Sequence, residues 1–139
     1  MCILAIVNDQ DMHIKITEAL IREVFAKKKV EYNSTHAKLS LPIINRIYKK
    51  MLNGIKFENI RVCDNMVIDG HHRYVASIIA DKDLFIDNYP KTSATLKYEW
   101  LAVEFVDEEW DTEDKIQYLN ELDAKYNDVS LEKIKNIIK

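Results

Sequence analysis

The chain has 139 residues, 47% of them hydrophobic and 31% charged, which fits one globular domain with a real core. A formal net charge of -3 and a pI of about 5.8 lack the basic excess that marks a nucleic-acid-binding domain. Two glycines and two prolines leave little room for flexible linkers or low-complexity segments.

Residues 2–7 are apolar and read as a short strand or the first turn of a helix. They are too short for a membrane span and lack the basic lead of a signal peptide, so a cytoplasmic protein without a membrane partner is expected. Cys2 and Cys63 show neither metal nor redox spacing, which suits a reducing compartment. Residues 13–28 predict a helix, with Ile14, Ile16, Ala19, Leu20, Val24 and Phe25 on its apolar stripe. Val30-Glu31-Tyr32 predicts a short strand, ended by Asn33-Ser34-Thr35. Residues 41–53 predict a second helix. Pro42 suits its first turn, Leu41, Ile44, Ile47, Tyr48, Met51 and Leu52 mark its buried face, and Asn53-Gly54 stops it.

Two apolar runs, 60–63 and 66–68, flank Asp64-Asn65. Asp and Asn tolerate positive φ, so a β-hairpin with a tight turn is predicted. A helix through about Ala80 follows. Residues 83–95, with Pro90 and a Ser/Thr cluster, read as loop, and Trp100–Val106 reads as a strand. Asp111 or Thr112 is expected to cap a helix over 113–126 with Ile116, Leu119 and Leu122 inward, and Ser130 to cap a last helix. Lys27–Lys29 and Lys49–Lys50 read as solvated helix faces. Helices interspersed with short strands predict an α+β class in a single domain over 1–139.

The densest chemistry lies in Asp69-Gly-His-His-Arg-Tyr-Val-Ala-Ser77, which follows Met66-Val67-Ile68 and opens a helix. A helix N-terminus presents unpaired N–H groups and a partial positive charge. Gly70 would let an anion approach the backbone closely, and Arg73 can grip its oxygens in a bidentate fork. His72 donates a hydrogen bond or carries charge near neutral pH. Asp69 caps the helix, orients His72 or holds a metal-bound water. Adjacent histidines seldom point at one ion, so His71 and His72 are not expected to ligate a metal together.

The segment Ile60–Ala76 resembles the ParB/sulfiredoxin superfamily, whose members share strand, turn, strand and a Gly-x-x-Arg-x-x-Ala helix start. Gly70, Arg73 and Ala76 match in register, and the helix of 41–53, Gly54 and Ile60-Arg-Val62 match the usual lead-in. The Asp-Gly-His-His-Arg form also looks like that of the free-serine kinases in this superfamily. The resemblance covers roughly residues 30–106, with 1–29 and 110–139 as helical extensions. Histidine stands at position 71 where a sulfiredoxin carries its nucleophilic cysteine, and Cys63 is not placed to replace it, so sulfinic-acid reduction is not expected. ParB proteins proper carry a Glu-Arg-Arg form and a following helix-turn-helix domain, for which no room is expected here.

The resemblance implies binding of a nucleoside tri- or diphosphate, or a related small phosphorylated molecule, with Mg²⁺. Gly70, His72, Arg73 and Lys38 would hold phosphates, and Asp69, His71 or Glu31 would move a proton in NTP hydrolysis or phosphoryl transfer to a small acceptor. Two alternatives belong to other classes: a nucleic-acid-binding or nuclease-like domain, and a non-catalytic interaction module. The terminal helices are expected to offer a surface for a homo-oligomer or a protein partner. Trp100 and Trp110 read as packing residues, and His13 and His36 carry no further signal.

Overall fold

The computed structural model describes residues 14–139, so the expectations for residues 2–7, Cys2 and His13 lie outside the described residues. Among these residues the elements run α1 (Glu18–Lys27), β1 (Lys38–Ser40), α2 (Leu41–Leu52), β2 (Ile60–Cys63), β3 (Met66–Asp69), α3 (His71–Ala80), β4 (Ile86–Asn88), a 3-10 turn (Trp100–Ala102), β5 (Glu104–Val106), α4 (Glu113–Asn127) and α5 (Leu131–Ile137). The class is α+β. β2 pairs antiparallel with β3 and parallel with β4, while β1 and β5 form a separate parallel pair. Among the described residues no helix is long and apolar enough to cross a membrane.

The β2–β3 hairpin forms as expected, with Asp64 and Asn65 at φ 48° and 65°. Helix α2 starts where Ser40 caps it and ends at Asn53. It packs along α3, and Ile44, Tyr48 and Met51 are buried with Tyr74, Val75 and Ile79 of α3 in the main core. Each fully buried aliphatic side chain such as Ile44 contributes about 1.5–3 kcal/mol. A smaller cluster of Ile55, Ala124 and Ile134 ties α4 and α5 to the end of α2.

Four expectations are corrected. Helix α1 begins at Glu18, not near residue 13, because Thr17 caps it and Asn45 pairs both backbone groups of Ile16 in an extended segment. Residues 30–32 form no strand. The N–H of Tyr32 donates to the Tyr74 hydroxyl and its carbonyl accepts from the Trp100 indole, and bridges begin only at Asn33 and Ser34. The stretch 83–95 contains a strand, β4. The strand expected over 100–106 is shortened to β5, because the Arg22 guanidinium donates to the carbonyls of Trp100 and Val103 and holds the intervening backbone as a 3-10 turn.

Neither lysine run makes a basic patch. Lys27 pairs with Glu23, Lys28 donates to the Ile78 carbonyl, and Lys50 is buried. Lys50 and Lys28 thereby depart from the solvated faces expected for them.

Candidate functional site

Strand β3 delivers Asp69 to the start of α3, and Gly70 makes the corner between them at φ 92°. A cavity of about 490 Å³ opens beside this corner, within the range of small-molecule sites. Its floor is the Asp69–Arg73 turn. Helix α2 lines the cavity through Arg46, Ile47 and Lys50, and α4 through Ile116, Leu119, Asn120 and Asp123. The first turn of α3, which lines the cavity through His71, His72 and Arg73, has no side-chain cap and lacks the oxygen that most helices place there.

Gly70 is required twice. Its φ lies in the left-handed region, and a Cβ here would stand 2.7 Å from Arg73 Nη2 and 2.9 Å from an Ile60 methyl. The bare α-carbon lets the guanidinium fold back over the corner. There Arg73 Nη2 donates to the Asn59 carbonyl at 3.2 Å. Its contact with the exposed Asp69 carboxylate is long, 3.7 Å, and its Nε is buried without a partner. Arg73 is therefore the least committed cation of the cavity.

The two histidines are neutral struts. His71 is buried, and its Nε2 accepts from the Thr35 N–H at 3.1 Å, with the Thr35 hydroxyl 3.0 Å away. His72 Nε2 accepts from the Ser40 N–H at 3.0 Å. An accepting Nε2 leaves the proton of each ring on Nδ1. Burial, with the charges of His36 and His72 adding to it, pushes the His71 ring down to about 3. Burial, aided by His36, Arg46 and Arg73 and opposed by Asp111, pushes His72 down to about 4. The pair pins the 33–40 segment to the start of α3. His36 stacks on His71 with ring centroids 3.8 Å apart, and burial lowers it too, with Asp69 offsetting part of that effect.

The remaining cations are paired from the C-terminal side. Arg46 forms ion pairs with Glu109 and, at 3.2 Å, with Asp111, whose other oxygen takes Lys115 at 3.2 Å. The Arg46 guanidinium is the main reason that the Glu109 carboxyl sits below its usual range. Lys50, 4% exposed, holds Asp123 at 2.6 Å. Residues 109–123 thus bring carboxylates to Arg46 and Lys50 of α2, and an incoming anion meets Arg73, whose carboxylate contact is the long one to Asp69, beside the uncapped helix start.

The predicted residues divide clearly. Asp69, Gly70, His71, His72 and Arg73 all line the cavity. Glu31 is exposed beside Tyr32 and Tyr74, and Lys38 opens β1 opposite Glu104; neither lines the cavity. Trp100 is a core residue, but Trp110 is 44% exposed and stands edge-on to His72 at the cavity wall. Arg46, Lys50, Asn120 and Asp123 were not anticipated. One signal was available: 116, 119, 120 and 123 share a helical face, and Asn and Asp interrupt its apolar stripe. Leu122, expected inward, is 43% exposed, while Asn120 is buried.

Among the described residues no group of three or more His, Cys, Asp or Glu side chains is arranged to hold a metal ion. A magnesium ion that arrives as a nucleotide's own counter-ion needs no such group. Comparison of the chain with protein-family models, with curated proteins and with solved structures returned no match.

Proposed function

We propose that the protein binds a nucleotide or related organic phosphate in the cavity beside the Asp69–Arg73 turn. The observation that carries this reading is an uncapped helix start beside a loosely paired arginine, opening on a cavity of about 490 Å³. Helix amides and a guanidinium are the two groups that best recognise phosphate oxygens. Support also comes from the resemblance of Ile60–Ala76 to the ParB/sulfiredoxin superfamily, where the Gly-x-x-Arg turn meets nucleotide phosphate. Gly70 supplies the close approach, and Arg73 turns from Asp69 to the phosphate. His72 contributes through its Nδ1–H and the segment it braces, without a charge of its own at neutral pH.

Titration calorimetry of the full chain with ATP, ADP, CTP and GTP and Mg²⁺ tests this. One of them is expected to bind and Arg73→Ala to weaken it by about tenfold or more, the usual scale for losing a charge-assisted bidentate contact. Absence of binding by every nucleotide, or unchanged binding in the Arg73 variant, sinks the assignment.

A second reading is NTP hydrolysis or phosphoryl transfer to a small acceptor. It is favoured by Asp69, a carboxylate 62% exposed at the cavity edge and of the residue type that serves as a general base. His71 serves this reading poorly, since its neutral ring is engaged at Nε2. Asp69→Asn is expected to stop turnover and leave nucleotide affinity in place.

A further inference from the structure

We infer that Asn120 selects the ligand, by accepting a hydrogen bond from the amino group of an adenine or cytosine base. The inference rests on the reading of the cavity as a nucleotide site.

Asn120 sits on the inward face of α4 between Ile116, Leu119 and Asp123, and all four line the cavity. It is 3% exposed, and its Oδ1 is buried with no hydrogen-bond partner. A buried amide oxygen without a donor is destabilising, and a leucine at that position would remove the penalty. Leu122, two residues on, is left in solvent instead, so the helix turns the amide inward and the leucine out. Ile47, Phe57 and Leu119 give apolar surface on the same cavity, suited to the faces of a flat ring. The phosphate-recognising groups, Gly70 and Arg73, belong to the turn at the start of α3, and Asn120 to α4, a separate element lining the same cavity. A ligand that satisfies both has an anion at one end and an N–H donor on a ring at the other. The side-chain amide of Asn matches the donor–acceptor edge of adenine or cytosine, with Oδ1 facing the amino group.

The test compares ligands on the native chain and then changes the residue. Calorimetry is run with ATP against purine riboside triphosphate, which lacks only the 6-amino group. CTP is run against its pyrimidin-2-one analogue, and inorganic tripolyphosphate serves as the base-free probe, all with Mg²⁺. One amino-bearing nucleotide is expected to bind at least about tenfold more tightly than its analogue. Asn120→Leu is expected to fold with a thermal midpoint at or above that of the native protein. It should lose that preference while tripolyphosphate binding stays within about twofold. Equal binding of both members of each pair overturns the inference, whatever the variant does. So does an Asn120→Leu protein that keeps the preference, or that loses tripolyphosphate in equal measure, because the amide is then structural. If neither nucleotides nor tripolyphosphate bind the native protein, the parent reading fails and this one with it. If tripolyphosphate binds and no base preference appears, only the role of Asn120 fails.

Discussion

Gly70 and Gly54 both adopt positive φ, yet they differ in what surrounds them. A Cβ at Gly54 meets nothing within 4 Å, whereas one at Gly70 collides with Arg73 and Ile60. Gly54→Ala is expected to cost about 1 kcal/mol, the left-handed backbone penalty alone. Gly70→Ala should cost at least about 2 kcal/mol more, since it adds overpacking. Urea denaturation of the two variants checks the difference, and equal losses would show that Arg73 yields freely. The histidines give a second prediction. His71 and His72 lie near 3 and 4 in the folded chain against an ordinary 6.5, so the unfolded chain binds protons first. Their stabilisation is complete above pH 6.5 and declines as pH falls from there towards 4. The expected loss for the pair is on the order of 5 kcal/mol over that window. His72→Gln keeps an acceptor for the Ser40 N–H without a titrating ring, and should flatten the decline between pH 6.5 and 5. At this scale the motif was legible, because glycine, histidine and arginine have distinctive chemistry. The engagement of both Nε2 atoms was not, since Thr35 and Ser40 are more than thirty residues away in the chain.

Helix α4 joins the C-terminal extension to the motif. Its Thr112 cap and its span were readable from a local pattern, as were the hairpin at Asp64-Asn65, the stop of α2 at Asn53 and the Ser130 cap of α5. Its orientation was not, because Ile116, Leu119 and Leu122 make as plausible a stripe as Ile116, Leu119, Asn120 and Asp123. Burial of Lys50 decides between them: a cation 4% exposed needs a carboxylate, and Asp123 is the one that reaches it. Asp123→Ala is therefore expected to destabilise the chain by about 3 kcal/mol or more, since it leaves Lys50 buried alone. The double change Lys50→Met with Asp123→Leu should recover most of that loss. If thermal unfolding shows Asp123→Ala to be neutral, the α2–α4 contact contributes little to the fold. Strand β4 is not legible in the sequence for a related reason. It has three exposed residues and no alternation, and pairs with β2 only because the chain returns there after α3.

For the whole molecule, charge separates the nucleotide reading from its nucleic-acid alternative. The net charge is -3, and Arg46, Lys50 and Lys115 already hold carboxylates. The protein is expected to pass through a duplex-DNA or heparin column at physiological salt, since few phosphates can be neutralised. Salt-dependent retention there would favour the alternative. A bound nucleotide at 100 times its dissociation constant should raise stability by about 2.7 kcal/mol, read as a shift in thermal midpoint. The amino-acid order alone determined the α+β class, the hairpin, the caps of α4 and α5 and the Asp69–Arg73 motif, because these depend on neighbours within a few residues. Only the tertiary structure decided that α4 closes the cavity and that both histidines stay neutral. It alone also decided that Lys50 and Asn120 are buried and that Arg73 keeps a loosely held charge. Those outcomes depend on desolvation and on partners distant in sequence, which local pattern does not encode.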